Sequence, residues 1–203
     1  MKSQTWKMTV VLMGAASLCR GAQDRLTVEV WDYAGLPKEV LRGAVVAGGA
    51  ALRASGIDTS WTLCTAAEGT LECPKPEPPA GRKVYVIITA RAAQSPAGAT
   101  TDQGGLALTG EVALAQPRAW VFYSMAQRMA EAAGRSTDLV LASIVIHEVG
   151  HVLGLKHQTT GIMRPALMPH DVDELSRCRG FSPAEVRQLH AGVRRLNAVA
   201  SPL

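Results

Sequence analysis

The pattern of apolar and polar residues first predicts β-strands. Residues 26–33, "LTVEVWDY", alternate apolar and polar as a half-buried strand does. Residues 57–64, 83–90 and 119–124 are also typical of strands. Because the segment 83–90, "KVYVIITA", is nearly all apolar, it is predicted to lie in the centre of a sheet. A short extended segment, "GLALTG" at residues 105–110, lies inside a stretch rich in Gly, Ala, Gln and Pro.

A helix is predicted between the first two strands. Leu41, Val45 and Leu52 recur at helical spacing, and Gly56 follows as a plausible C-terminal cap. The resulting order of strand, helix, strand, loop and strand favours a mostly parallel sheet with a crossover helix.

Two more helices are predicted in the second half of the chain. Residues 136–138, Ser-Thr-Asp, are of the types that begin helices, and this helix should run to Gly154. Because apolar residues surround it on nearly every side, it is predicted to be buried. In "SPAEVRQLHAGVRRLNA", Ser182 and Glu185 form a capping box around a first-turn proline, which predicts the last helix.

The N-terminal residues are predicted to be a signal peptide over residues 1–21, which leaves residues 22–203 as one globular domain. Lys2 and Lys7 precede the apolar run "MTVVLMGAASL", and small residues follow it. That run is too short to span a bilayer, so no stable membrane insertion is expected. The protein is therefore expected to be secreted or periplasmic. A lipoprotein anchored at Cys19 is a weaker alternative, because leucine precedes this cysteine where a small residue is expected.

Export changes what the charges and the cysteines imply. Cleavage of the leader removes three basic residues and no acid, so the formal net charge falls from +4 to +1. This nearly neutral protein gives no indication of binding to nucleic acid or to an anionic membrane. Cys64 and Cys73 flank a short loop and are predicted to form a disulfide in an oxidising compartment. Cys178 would then be single, and a small buried or idle thiol is favoured over a nucleophile.

Three of the five histidines lie within the segment "HEVGHVLGLKH". On the predicted buried helix, His147 and His151 are one turn apart, so both imidazoles can converge on one point beside it. A Zn²⁺ ion at that point would compensate for their burial. Gly154 can end the helix and bring His157 to the same ion, which leaves one coordination position for water. Glu148 can then reach that water as general base and acid.

These residues match the H-E-x-x-H-x-x-G-x-x-H signature of the metzincin zinc peptidases, and the chain resembles that family. The segment "GIMRP" is similar to the Met-turn of metzincins, with Met163 as the methionine under the metal site. The resemblance implies an α+β zincin fold, with a twisted, mostly parallel sheet and an antiparallel edge strand above the active-site helix. That edge strand, which binds extended substrate, would contain Ala107, Leu108 and Thr109.

The resemblance also implies a secreted, zinc-dependent endopeptidase with one catalytic zinc ion and a peptide or protein substrate. No subfamily is assigned. Pro165 after the Met-turn is closer to matrixins, but Gln158 matches no diagnostic residue and Leu167 stands where matrixins often have tyrosine. Archaemetzincins are disfavoured because their cysteine-rich second metal site has no counterpart in this sequence. Two alternatives stay open: a non-catalytic zinc-binding protein, and a zinc amidase that acts on cell-wall peptides.

Other candidate residues have simpler interpretations. His170 on a loop and His190 on the last helix are interpreted as solvated or core-edge residues rather than ligands. The acids around Asp171 have two interpretations, a Ca²⁺ site or the acidic first turn of a helix. The helix start is favoured. Arg164 is equally compatible with a solvated surface residue and with a charge that biases substrate choice near the cleft.

Overall fold

The computed structural model describes residues 24–67, 70–74, 83–91, 105–108 and 116–198. The predicted leader, with Cys19, and Thr109 of the predicted substrate strand lie outside these ranges. Within them, no helix combines the length and the apolar character that crossing a membrane requires.

The described residues form six strands and five helices. The strands are β1 (Arg25–Asp32), β2 (Asp58–Ala67), β3 (Thr70–Glu72), β4 (Lys83–Thr89), β5 (Gly105–Leu108) and β6 (Arg118–Phe122). The helices are α1 (Lys38–Ala54), α2 (Tyr123–Ala133), α3 (Thr137–Val152), α4 (Pro169–Ser176) and α5 (Pro183–Ala198).

The strands form one mixed sheet in the order β3-β2-β1-β4-β6-β5. The four inner strands are parallel neighbours, whereas β3 and β5 pair antiparallel at the two edges. Helix α1 is the crossover between β1 and β2. The predicted α+β fold, with a mostly parallel sheet and an antiparallel edge strand at β5, is therefore confirmed. The second antiparallel strand, β3, is an addition to the prediction.

Helices α1 and α3 pack together beside the sheet. Alternate residues of the central strands are almost completely buried and belong to one core with these helices: Leu26, Val28 and Val30 in β1, and Val84, Val86 and Ile88 in β4. Every residue of α3 from Val140 to Gly150 is buried, as predicted from its apolar surroundings. Gly48 allows α1 to approach α3 closely, because a Cβ there would lie 3.2 Å from the side chain of Ile146.

Two predicted helix ends have the expected geometry. Helix α1 ends just before Gly56, whose φ of +79° is a left-handed conformation that suits glycine. At the start of α5, the Ser182 N–H donates to Glu185 Oε2 at 2.7 Å, and the Glu185 N–H donates to Ser182 Oγ at 3.3 Å. The predicted capping box is therefore confirmed.

The strand predicted over residues 119–124 is wrong at its C-terminal end. Strand β6 ends at Phe122, and α2 begins directly at Tyr123. Phe122 is the N-cap of α2, in an extended conformation and without a side-chain cap hydrogen bond. Because no turn residue or capping side chain separates the two elements, the sequence carries no local signal for this helix start.

The hairpin of β2 and β3 contains the predicted disulfide between Cys64 and Cys73, whose Cα atoms lie 4.2 Å apart. Cys178 is free and exposed, so a buried position for its thiol is ruled out.

Removal of the disulfide is expected to destabilise the protein without removing the histidine cluster. The two cysteines are nine residues apart, and a cross-link of this span contributes about 2.5 kcal/mol by restricting the unfolded chain. Replacing both Cys64 and Cys73 with Ala should lower the free energy of unfolding in urea by about this amount. Cys178→Ala is the matched control and should leave it nearly unchanged. Equal stability of the double variant and the native chain would contradict this account.

Candidate metal centre

The end of α3 and the turn after it bring three histidines together. His147 and His151 lie one turn apart on α3, which ends at Val152. Gly154 then has a φ of +97°, a conformation that residues with side chains rarely adopt, and the chain leaves the helical path. One ring nitrogen from each of His147, His151 and His157 consequently lies within 4.8 Å of the other two.

Backbone carbonyls fix the orientation of the first two imidazoles. Nδ1 of His147 lies 2.7 Å from the oxygen of Ile162, and Nδ1 of His151 lies 2.9 Å from that of Leu155. Because a carbonyl oxygen only accepts hydrogen bonds, both Nδ1 atoms carry a proton. Burial is the main cause that lowers the pKa of His147 to about 4, and burial also lowers the pKa of His151. Both rings are therefore neutral near pH 7, with a lone pair on Nε2.

The two Nε2 atoms face each other at 3.0 Å. Neither atom can donate a hydrogen bond to the other, so two lone pairs meet unless a cation lies beside both. The His157 ring centroid lies 4.6 Å from that of His151 and 5.3 Å from that of His147. Three imidazoles are a common donor set for Zn²⁺, and zinc-binding histidines usually donate the other ring N–H to a carbonyl or carboxylate. The residues therefore fit a zinc ion.

Glu148 lies next to His147 on α3 and is 5% exposed. Burial raises the pKa of Glu148 to about 8, and a cation held by the three histidines would lower it. The side chain packs against the backbone of β5. A Cβ at Gly105 would lie 2.6 Å from Cγ and 2.7 Å from Oε1 of Glu148. The carboxylate is thus held between the helix and the edge strand.

Met163 packs against α3 from the loop that follows His157. The side chain is fully buried, and its Sδ would lie 2.7 Å from a Cβ at Gly150. The neighbouring carbonyl of Ile162 is the one that accepts the hydrogen bond of His147. The same short loop therefore supports both the helix and one of its imidazoles.

The chain is similar to known proteins in part of its sequence and in its fold. Residues 87–177, a little under half of the chain, match the matrixin peptidase family model. The fold is similar to the crystal structure of archaemetzincin from Methanopyrus kandleri, with a TM-score of 0.51 and 14% sequence identity. That similarity covers 88% of this chain and 99% of the archaemetzincin chain. The partial matrixin match and the similarity of the fold together support a metzincin-type zinc metallopeptidase.

These comparisons assign no subfamily. The matrixin match is partial, and the identity to archaemetzincin is low enough that the likeness concerns the fold alone. A further similar structure is metalloproteinase-II from Bacteroides fragilis, at 12% identity and a TM-score of 0.42, over 77% of this chain and 53% of that chain. Among curated proteins, none matches the chain in sequence.

The three histidines open into a cleft of about 960 Å³. Ala107 of the predicted substrate strand lines the cleft, and Leu108 pairs with Arg118 in β6. Met125 and Met129 of α2 also line it, and neither was predicted to do so because α2 itself was not predicted. The remaining residues that line the cleft are Gly105, Ile144, His147, Glu148, His151, Val152, Gly154, Leu155, Lys156, His157, Pro165, Ala166, Leu167 and Arg195.

Arg164 and the acids near it do not line this cleft. Arg164 Nε donates to Asp171 Oδ2 at 3.1 Å. The same carboxylate oxygen accepts the N–H of Met168 at 3.0 Å, at the start of α4, which agrees with the favoured helix-start interpretation. His190 lies elsewhere, with Nδ1 2.6 Å from Asp24 Oδ2. Neither Arg164 nor His190 is among the residues that line the cleft.

Proposed function

We propose that this protein is an exported, zinc-dependent endopeptidase. His147, His151 and His157 are the proposed zinc ligands, and Glu148 is the proposed general base and acid. The observation that carries the proposal is the pair of facing Nε2 atoms, 3.0 Å apart, beside a buried carboxylate at an open cleft. Met163, which contacts the last turns of α3, is the proposed Met-turn methionine.

A zinc ion held by the imidazoles would polarise the scissile carbonyl and lower the pKa of water to about 7. Glu148 takes a proton from water as the water oxygen forms a bond to the carbonyl carbon. The protonated Glu148 then gives this proton to the amide nitrogen as the C–N bond breaks, which yields one carboxylic acid and one amine. Throughout, hydrogen bonds from Nδ1 of His147 and His151 to backbone carbonyls keep the two rings oriented.

Strand β5 is the proposed binding strand for the substrate. It is the last strand in the sheet order and pairs only with β6 among the described strands. Its other edge therefore offers backbone N–H and C=O groups to an extended peptide. Ala107 of this strand lines the cleft, and Leu108 and Thr109 are assigned to the same role by resemblance to metzincins.

Export is part of the proposal. It is supported by the signal-like pattern of residues 1–21 and by the disulfide of the β2–β3 hairpin, since disulfides persist in oxidising compartments. On this proposal the mature protein is a single catalytic domain over residues 22–203, secreted or periplasmic. A lipid anchor at Cys19 is the alternative that intact mass analysis of the exported protein would detect.

Cleavage profiling of the purified mature chain tests the function. Zinc-loaded protein incubated with a proteome-derived peptide library should produce internal cleavages by mass spectrometry. A chelator should abolish them, and added Zn²⁺ should restore them. Cleavage that persists at full rate in the chelator would contradict the proposal. Zinc binding without any cleavage would favour a non-catalytic zinc protein, and digestion of peptidoglycan alone would favour an amidase.

A further inference from the structure

Two basic side chains lie at the end of the cleft where α3 stops. Lys156 follows Gly154 in the turn that leads to His157, and Arg195 comes from the last turn of α5. Both residues are exposed and both line the cleft. Glu148 is the only acid among the lining residues in the described part of the chain. This end of the cleft is therefore positively charged.

The fold holds Arg195 at this place. Nη2 of Arg195 donates to the backbone oxygen of Leu153 at 3.0 Å, one of the carbonyls left without a partner where α3 ends. Gly192, one turn earlier on α5, packs directly against the Leu153 backbone. At Gly154 a Cβ would lie 2.8 Å from Nη2, so the absence of a side chain there leaves room for the guanidinium.

Among the described residues, neither cation is neutralised by a neighbouring acid. No carboxylate among the described residues lies within ion-pair distance of Lys156 or Arg195. By contrast, Arg194, the residue next to Arg195, pairs with Asp24 at 3.0 Å. A guanidinium has five N–H donors, and the Leu153 carbonyl accepts from only one nitrogen of Arg195. Donors are therefore left over for a ligand in the cleft.

We propose that Lys156 and Arg195 form a subsite for a carboxylate of the peptide substrate. This inference rests on the proposed peptidase function and adds a substrate class to it. Ammonium and guanidinium groups bind carboxylates through charge-assisted hydrogen bonds. The carboxylate belongs to an Asp or Glu side chain or to the C-terminus of the peptide. Arg164, in contrast, pairs with Asp171 and does not line the cleft, so the proposal assigns it no role in charge selection.

Three matched pools of fluorescent random octapeptides test the subsite. One pool carries a fixed Glu and an amidated C-terminus, the second carries Gln instead, and the third carries Gln with a free C-terminus. Zinc-loaded native protein should cleave the Glu pool or the free-acid pool about fivefold to tenfold faster than the Gln amide pool at low salt. The favoured pool identifies the source of the carboxylate, and 0.5 M NaCl should reduce the preference.

Variants separate charge selection from a structural role. Lys156→Gln and Arg195→Gln should each lower the preference ratio, and Arg195→Lys should retain part of it. Arg187→Gln is the matched control, because Arg187 is exposed on the same helix but does not line the cleft, and its ratio should be native. Equal cleavage of all three pools by native protein would overturn the subsite while leaving the peptidase function in place.

Binding gives a readout that does not need turnover. Fluorescence anisotropy of the same pools with the zinc-loaded Glu148→Gln variant should show tighter binding of the carboxylate pool, and Arg195→Gln in that background should remove the difference. If native protein cleaves no pool, the peptidase proposal fails, and the binding ratio alone then decides whether the cationic end of the cleft selects carboxylates.

Discussion

Replacing Glu148 with Gln is expected to lower kcat/KM for peptide cleavage by about 10²–10⁴-fold while one zinc ion per chain stays bound. The amide keeps the size of the side chain but has no carboxylate to take a proton from water. The proposed zinc ligands are unchanged, because the imidazoles of His147 and His151 are oriented by backbone carbonyls rather than by Glu148. Steady-state kinetics on a cleaved peptide and elemental analysis of the dialysed protein measure the two quantities.

A control for this substitution is available on the surface. Glu131→Gln makes the same chemical change at an exposed position of α2 that does not line the cleft, and it should keep native activity. Burial disfavours the charged form of Glu148, so its replacement by a neutral amide should not lower the unfolding temperature much. Native turnover in Glu148→Gln would remove Glu148 from the mechanism, and loss of zinc would show that it supports the metal instead.

The histidine cluster is readable from sequence because its geometry is local. His147 and His151 are one helical turn apart, and Gly154 and His157 follow within six residues of His151. Spacing along one helix and one glycine turn therefore determines most of the arrangement. The apolar residues around them predicted burial in the same way, since a helix that is apolar on all sides has to lie in a core.

Contacts of the site between residues distant in sequence cannot be predicted from local spacing. The Arg195 guanidinium reaches the Leu153 carbonyl across 42 residues of sequence. Met125 and Met129 reach the cleft through α2, whose start has no capping side chain. The orientation of His147 depends on the Ile162 carbonyl, which only the folded loop brings close. These contacts depend on how separate elements pack, and the spacing of residues along the chain does not predict that packing.

Substitution of Gly105 is also expected to have a large effect on activity, because the edge strand contacts the Glu148 side chain at this residue. A Cβ at this position would lie 2.6 Å from Glu148 Cγ and 2.7 Å from the Trp120 backbone oxygen in β6. Real Cβ atoms do not approach other atoms this closely, so either the Glu148 side chain or β5 has to move. A misplacement of about 1 Å at a reacting group can cost about 10²-fold in rate.

Gly105→Ala is therefore expected to lower kcat by about 100-fold while the zinc content stays native. Kinetics should separate the two possible movements: a displaced Glu148 lowers kcat, whereas a displaced β5 that binds substrate poorly raises KM. Gly134→Ala is the matched control. Gly134 has a φ of +60° and open space around it, so alanine there costs stability through backbone strain without touching the cleft. If Gly105→Ala loses no more activity than Gly134→Ala at equal unfolding temperature, the close contact between β5 and Glu148 does not govern the position of the carboxylate.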